Sequence, residues 1–220
     1  MYLFLKRLLD ILIATFALIV FSPILIPIVI LLKLTGEGEI LYLQERIGHK
    51  NKPFNIWKFA TMLKNSPNMG TGDVTLKNDS RVLPMGKFLR KTKINELPQI
   101  VNVLMGDMSI VGARPLVDVS FNMYTPEVQK VIYNTRPGIT GIGSIIFRDE
   151  ETIIEKSGMP AREFYEKYIL PYKGNLEIWY QKNKSLWVDI ALIFLTAWVI
   201  LFPKSTLPNT WFKDLPARPF

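Results

Sequence analysis

The chemistry open to this chain depends on carboxylate, guanidinium and ammonium side chains. The chain has 220 residues, no cysteine and one histidine, His49. The lack of cysteine excludes disulfides, thiol nucleophiles and thiolate metal sites. A single histidine excludes a multi-histidine zinc centre and makes a Ser-His-Asp triad a strained proposal. Any catalysis must therefore use Asp, Glu, Arg and Lys.

Basic residues are concentrated between Gly36 and Asn95. The whole chain has 27 Lys and Arg against 19 Asp and Glu, a formal charge of +8, and eleven of the basic residues fall in this stretch. Such a field attracts phospholipid headgroups, nucleotide diphosphates or nucleic acid. Nucleic acid is not expected as a partner, because no helix-turn-helix or base-stacking pattern accompanies the charges.

An uncharged run of 22 residues, Ile11 to Leu32, is long enough to cross a bilayer, which takes about 20 apolar residues. Ser22-Pro23 lies at its middle, and Pro27 follows. Proline removes a helical hydrogen bond, and the Ser22 hydroxyl could bond the freed carbonyl. Two interpretations stay open: a kinked spanning helix, or a helix-break-helix that enters and leaves by one face. The second would place Lys6, Arg7 and Lys33 at one anionic surface.

A second apolar stretch, Ile190 to Phe202, has 13 uncharged residues and is too short to cross. Trp187 and Trp198 are aromatics expected at the headgroup level, so the stretch predicts an interfacial helix ended by Pro203. A buried core helix is the alternative.

The polar remainder predicts a mainly α fold with a small β-hairpin. The hairpin strands are Ile40–Leu43 and Phe54–Phe59, around a turn at residues 49–53. Helices are expected over Val82–Leu104, interrupted at Pro98, over Pro126–Asn134 and over Ala161–Tyr168, with a mobile loop at Asn65–Ser80. The predicted domains are a membrane segment (1–35), a cytoplasmic catalytic domain (36–185) and an interfacial helix with a tail (186–220).

A set of short strings in fixed order carries a resemblance to a known family. They are Lys6-Arg7-x-x-Asp10, Ser22-Pro23, Gln44-Glu45-Arg46-Ile47-Gly48, Lys58-Phe59, Phe88-Leu89-Arg90-Lys91-Thr92, Asn95-Glu96-Leu97-Pro98-Gln99, Gly106-Asp107-Met108-Ser109-Ile110-Val111-Gly112, Arg114-Pro115 and Pro137-Gly138-Ile139-Thr140-Gly141. Together they resemble the bacterial sugar transferases known as monotopic phosphoglycosyl transferases, from Lys6 to about Leu201.

The resemblance implies an enzyme that moves a sugar-1-phosphate from a UDP-sugar to polyprenyl phosphate and so starts glycan or exopolysaccharide assembly. It implies Mg²⁺ as cofactor and the cytoplasmic face of the bacterial inner membrane as location. It also favours the re-entrant interpretation, with Ser22-Pro23 as the break of the membrane helix.

Site residues follow from the same resemblance. Glu96 matches the metal-binding Glu of an adjacent Asp-Glu pair, and Arg90 matches an Arg that holds phosphate oxygens. The other expected phosphate or substrate contacts are Lys58, Arg114 and Arg148. A structural ion pair is the alternative for each of these cations.

Asn95 departs from the family pattern, because the attacking Asp normally stands there. A carboxamide is uncharged and a poor nucleophile. Three accounts compete: an inactive form that still binds substrate, another carboxylate as nucleophile (Glu96, Asp107, Asp149, Glu150 or Glu151), or direct attack by the lipid phosphate. A catalytically impaired, membrane-bound scaffold is the alternative function. The Asp149–Glu151 triplet is alternatively a solvated helix N-terminus.

Overall fold

The computed structural model describes residues 1–69, 79–203 and 205–220, and within them the chain is mainly helical. The helices are α1 (Tyr2–Leu34), α2 (Pro84–Lys91), α3 (Gln99–Met105), α4 (Asp118–Asn122), α5 (Pro126–Val131), α6 (Ile142–Ile146), α7 (Glu150–Lys156), α8 (Ala161–Phe164), α9 (Leu170–Asn183), α10 (Leu186–Leu201) and α11 (Leu207–Trp211). Strand β1 (Leu41–Ile47) pairs with β2 (Pro53–Phe59), which confirms the hairpin. Its first strand is longer than predicted.

Contacts divide the chain into two compact units. The larger unit contains Met1–Asp10, Arg46–Phe54 and Gly106–Phe220, and the smaller unit contains Ile11–Glu45 and Asn55–Met105. These boundaries differ from the three predicted domains. Because that three-part division rests on placement in a membrane, it stays a prediction.

Helix α1 is continuous from Tyr2 to Leu34 and includes Pro23 and Pro27. It is long and apolar enough to cross a membrane, and only 11% of its most apolar stretch is buried within the protein. Pro23 cannot donate to the carbonyl of Ile19, and the Ser22 hydroxyl donates to that oxygen at 2.8 Å. The predicted serine bond is confirmed. The chain stays helical across Ser22-Pro23, so this position is not a non-helical break between two helices.

A second, parallel sheet was not predicted from the sequence. Strand β3 (Ser109–Val111) pairs with β4 (Gly138–Thr140), with Ser109 opposite Gly138. The two segments approach so closely that a Cβ on Gly138 would lie 2.1 Å from the backbone nitrogen of Gly112. The glycine-rich strings therefore permit a short backbone pairing.

Helix α10 is a core helix on one face and exposes apolar side chains on the other, and its interfacial placement stays a prediction. Its buried residues, among them Leu192 and Leu195, belong to the core of the larger unit, while Trp187, Phe194 and Ile200 are exposed. The helix ends at Leu201, two residues before Pro203, as expected. Such a helix can pack on the protein with one face and lie on lipid with the other.

The remaining predicted elements are confirmed in part. The Val82–Leu104 region forms α2, a 3-10 turn at Ile94–Glu96 and α3. The predicted Ala161–Tyr168 helix is α8, which continues through a π-helical turn at Tyr165–Ile169 into α9. Of the predicted loop at 65–80, residues 70–78 lie outside the described residues, and Ser66–Asn68 forms a 3-10 turn.

Candidate functional site

Asn95 and Glu96 lie on a single 3-10 turn between α2 and α3. Helix α2 ends where the Thr92 hydroxyl donates to the Phe88 carbonyl at 2.9 Å, and Lys93 then adopts a left-handed φ of 60°. The Glu96 N–H donates to the Lys93 carbonyl at 3.1 Å. Pro98 immediately precedes α3, which begins at Gln99. The sequence thus places the pair on a short, tightly hydrogen-bonded turn.

Asn95 is buried, with 9% of its surface exposed, and its Oδ1 has no hydrogen-bond partner among the described residues. The Nε2 of Gln99, one turn further along, is also buried without a partner there. Unsatisfied buried polar atoms are uncommon because each costs about 1–3 kcal/mol. An orphaned acceptor beside the Glu96 carboxylate fits a site that receives a cation.

Asn102 fixes α3 to β2, the strand that contains Lys58. Its Oδ1 accepts the Trp57 N–H at 2.9 Å, and its Nδ2 donates to the Asn55 carbonyl at 2.8 Å. Lys58 is the next residue of β2 and is half-buried. The Asn102 amide is fully buried and pairs with one N–H and one carbonyl of β2, so it holds α3 and β2 in one register.

Arg90 lies in the last turn of α2, which packs against the Ile94–Glu96 turn. Close backbone contact fixes this helix as well: a Cβ on Gly86 would lie 2.1 Å from the Thr61 carbonyl oxygen. The smaller unit therefore carries four of the predicted site residues on neighbouring elements, namely Lys58, Arg90, Asn95 and Glu96.

Arg114 belongs to the larger unit and is exposed. The backbone around it is held by the buried Tyr133, whose hydroxyl donates to the Arg114 carbonyl at 2.8 Å and accepts the Leu116 N–H at 3.0 Å. Burial raises the pKa of Tyr133 above its ordinary value, so the hydroxyl keeps its proton for this bond. The arrangement leaves the guanidinium outside the core while its backbone is fixed.

Arg148, also in the larger unit and exposed, follows α6. A Cβ on Gly143 in α6 would lie 2.7 Å from a carboxyl oxygen of Glu177, and that carboxyl accepts a hydrogen bond from the Gly143 backbone. Burial raises the pKa of Glu177 to about 7. The segment before Arg148 is thus anchored on a buried carboxyl of α9.

The acidic triplet begins helix α7, as the alternative interpretation expected. Glu150 and Glu151 are in its first turn, and Glu150 pairs with Lys173. Within residues 1–69, 79–203 and 205–220, no three Asp, Glu or His side chains come together as a metal site.

The Lys6 ammonium is buried in an ion pair, so it is not available to lipid headgroups as the re-entrant interpretation expected. It is 5% exposed, its Nζ bonds Asp189 Oδ2 at 2.9 Å, and it also donates to the Val111 carbonyl at 2.9 Å. The Tyr180 hydroxyl donates to the other Asp189 oxygen at 2.7 Å. The base of α1 is therefore held inside the larger unit by a buried ion pair.

The model of the family described as bacterial sugar transferase matches residues 1–203. This chain belongs to that family. It is 35% identical over 91% of its length to a UDP-N-acetylgalactosamine-undecaprenyl-phosphate N-acetylgalactosaminephosphotransferase of Aeromonas hydrophila, of which it covers 44%. It is 38% identical over 87% of its length to a UDP-glucose:undecaprenyl-phosphate glucose-1-phosphate transferase of Escherichia coli K12, of which it covers 39%. Against the exopolysaccharide production protein ExoY of Rhizobium meliloti the identity is 31%, with 87% and 83% of the two chains covered. The chain thus spans less than half of the first two relatives.

Three structural residues of this sugar transferase were not predicted from sequence. The first is Asp10, which belongs to the Lys6-Arg7-x-x-Asp10 string that carries the resemblance but had no function assigned to it. Asp10 Oδ1 accepts hydrogen bonds from the Ser109 hydroxyl and the Ile110 N–H, each at 2.9 Å. Asn102 and Glu177 stand in ordinary helical surroundings. Nothing in a single sequence marks them as buried, because burial of a polar helix residue depends on packing partners far along the chain.

Proposed function

We propose that this chain transfers a sugar-1-phosphate from a UDP-sugar to polyprenyl phosphate, releasing UMP, in the initiation of glycan or exopolysaccharide assembly. The observation that carries the proposal is the grouping of Lys58, Arg90 and Glu96 in one unit of a chain that matches the family over residues 1–203. The printed names of the Aeromonas and Escherichia coli relatives describe this reaction.

The basic side chains are proposed to bind the phosphates. Phosphoryl transfer is accelerated mainly by positioning and by neutralising charge on the phosphate oxygens. Arginine can hold two such oxygens at once, whereas lysine acts as a point charge. Arg90, Arg114 and Arg148 are therefore assigned to oxygen pairs on the substrates, and Lys58 to a single phosphate.

Mg²⁺ is proposed as the cofactor, held by Glu96 and by Oδ1 of Asn95. The fit rests on the orphaned, buried Asn95 acceptor beside a carboxylate. Mg²⁺ commonly takes one or two protein carboxylates and completes its shell with water and substrate phosphates, so the lack of a three-acid cluster in the described ranges is compatible with it. When bound, the ion would neutralise charge on the diphosphate.

Asn95 leads us to propose direct transfer, in which an oxygen of the lipid phosphate attacks the sugar-bearing phosphorus and UMP leaves. A neutral amide cannot form the acyl phosphate that a nucleophilic carboxylate forms. It can still bind a cation through its oxygen. The same residue favours the second candidate, a scaffold that binds nucleotide sugar or lipid without turnover.

A one-sided insertion at the cytoplasmic face of the inner membrane is proposed for α1. Residues up to Asp10 are built into the larger unit, and Ile28 and Leu32 pack with Phe59 and Leu89 in the smaller unit. Both ends of the helix therefore belong to folded parts of the chain. Between them, exposed apolar residues such as Phe16 and Ile19 would lie in lipid.

The function is tested by UMP release from purified protein supplied with Mg²⁺, polyprenyl phosphate and a panel of UDP-sugars. Glu96→Gln should abolish release, since a neutral amide holds Mg²⁺ poorly, while Glu163→Gln, an exposed carboxylate on α8, should not change it. UDP-sugar binding without UMP release for every sugar would refute the enzyme and support the scaffold.

The topology is tested by introducing one cysteine at a time as a labelling site, because the chain has no cysteine of its own. Leu3→Cys lies in the first turn of α1 and Glu37→Cys lies after its end, both at exposed positions. One-sided insertion predicts that an impermeant maleimide added to intact spheroplasts labels neither, and that permeabilisation exposes both. Labelling of one site alone in intact spheroplasts would show a spanning helix instead.

A further inference from the structure

A pocket in the larger unit lies where α6 and α7 meet the end of α10 and the C-terminal tail. Its volume is about 300 Å³, and Arg148, Lys156 and Arg218 line it together with Asp149. The lining thus has three cations against one carboxylate. A concave site with this balance is suited to a ligand that carries negative charge.

Two of the three cations of this pocket have no polar partner among the described residues, and the third, Arg218, has a cation–π contact with Phe220. Within the part of the chain that the structure describes, no hydrogen bond or ion pair involves the side chains of Arg148 or Lys156, and Arg218 lies 4.5 Å from the ring centre of Phe220. All three are exposed. Hydroxyl and amide groups of Ser205 and Asn209 also line the pocket and can donate to phosphate oxygens.

Apolar surface continues directly from the pocket along the end of α10. Val199 and Pro203 line the pocket itself, and the intervening Ile200, Leu201 and Phe202 are 63%, 71% and 51% exposed. A soluble anion would leave this surface in water. An amphiphile would cover it with its hydrocarbon part while its charged group entered the pocket.

A tryptophan marks the depth at which such a headgroup would lie. The Trp198 Nε1 donates to Ser205 Oγ at 2.8 Å, and its ring stacks with Phe194 and Phe202. Tryptophan is enriched at the membrane interface, where its ring meets hydrocarbon and its N–H meets polar groups.

We infer that this pocket binds an anionic phospholipid of the bilayer, with the headgroup phosphate among Arg148, Lys156 and Arg218 and acyl chains along Ile200–Phe202. Apart from Arg148, which is also assigned to substrate, the residues that line this pocket have no proposed part in the transfer reaction. It would fix the end of α10 at the headgroup level of an anionic leaflet.

The test uses detergent-solubilised full-length protein titrated calorimetrically with dioctanoyl phosphatidylglycerol. Since Arg148 is also assigned to substrate, the variant is Lys156→Gln with Arg218→Gln. The matched control removes two exposed cations elsewhere in the larger unit, Lys130→Gln with Lys182→Gln. Each basic residue near an anionic lipid contributes about fivefold in affinity, so the pocket variant should bind about 25-fold more weakly and the control should bind like the parent.

Three results would overturn the inference. Equal losses in the pocket variant and the control would show charge attraction without a site. Equal affinity for dioctanoyl phosphatidylcholine would remove the anionic requirement. Binding of UDP, inorganic phosphate or a polyprenyl phosphate that is weakened 25-fold by the same pair, with no effect on phosphatidylglycerol, would make it a substrate site. UMP release is measured separately, so failure of the transferase proposal is distinguishable.

Discussion

Glu177→Gln tests whether a buried carboxyl makes stability depend on pH. Glu177 is 6% exposed, one of its oxygens accepts from the Gly143 backbone, and Oε2 has no hydrogen-bond partner among the described residues. The nearest cation, Lys173, pairs with Glu150. Burial therefore dominates, and it raises the pKa of Glu177 from 4.5 to about 7, although the Gly143 bond and Lys173 oppose the rise.

The sign and size of the effect follow from this raised pKa. The fold favours the neutral carboxyl, so below pH 4.5 the group is neutral in both states and costs nothing. Between pH 4.5 and about 7 the unfolded chain ionises first, and stability falls as pH rises. Over this range of about 2.5 pH units, at about 1.4 kcal/mol each, the free energy of unfolding falls by about 3.5 kcal/mol in total.

The measurement is chemical denaturation of the parent and Glu177→Gln in detergent at pH 5, 6, 7 and 8, followed by circular dichroism. Glutamine keeps an acceptor for Gly143 but does not titrate. If the amide itself changes the free energy of unfolding, that change is the same at every pH. Because part of the effect is already lost at pH 5, the stability difference between the two proteins should shift by about 2.5 kcal/mol in favour of glutamine from pH 5 to pH 8. Parallel curves would refute the reasoning, and Glu163→Gln, an exposed carboxylate, is the control that should give them.

Further substitutions test the site and the packing. Asn95→Asp should yield a phospho-sugar adduct by intact-mass analysis after exposure to UDP-sugar, while the parent should give none; no adduct in the variant would mean that this turn does not face the donor phosphate. Asp189→Asn should cost about 3–5 kcal/mol in denaturant because it leaves the Lys6 ammonium buried without its counter-charge. The double variant Lys6→Met with Asp189→Leu should regain most of that loss, and an unrecovered loss would contradict the ion-pair account. Gly138→Ala should prevent β3–β4 pairing and lower the melting temperature strongly, whereas Gly158→Ala, with no atom within 4 Å of its added Cβ, should show only the ordinary cost of about 1–2 kcal/mol for a left-handed residue; equal effects would contradict the close approach.

Patterns in the sequence predicted those structural features that depend on residues close together in the chain. The hairpin follows from two apolar runs around a polar turn, and the serine bond to the Ile19 carbonyl follows from the donor that Pro23 lacks. The end of α10 follows from Pro203. Each of these depends on side-chain periodicity or proline stereochemistry within a few residues, which a single sequence contains.

Long-range contacts were beyond prediction. The β3–β4 sheet joins segments about 29 residues apart, and the pairing of Lys6 with Asp189 joins positions 183 residues apart. Lys6 was expected at a lipid surface because a basic residue before an apolar helix is usually solvated. Its burial requires an acid from α10, and no periodicity within α1 encodes that partner.

The candidate site shows the same division between local and distant causes. Thr92, the left-handed Lys93 and Pro98 border the turn that carries Asn95 and Glu96. The sequence predicted an interruption of the helix at Pro98, whereas α2 ends at Lys91 and the pair lies on a 3-10 turn. Its position against β2 depends instead on Asn102, a residue that the resemblance did not mark. A turn held from both sides keeps its geometry whether residue 95 is a carboxylate or its amide isostere. Replacing Asn95 by Asp should therefore change the chemistry of the turn without moving it. For this reason the adduct measurement reports on the reaction mechanism, whereas the stability measurements report on the surrounding fold.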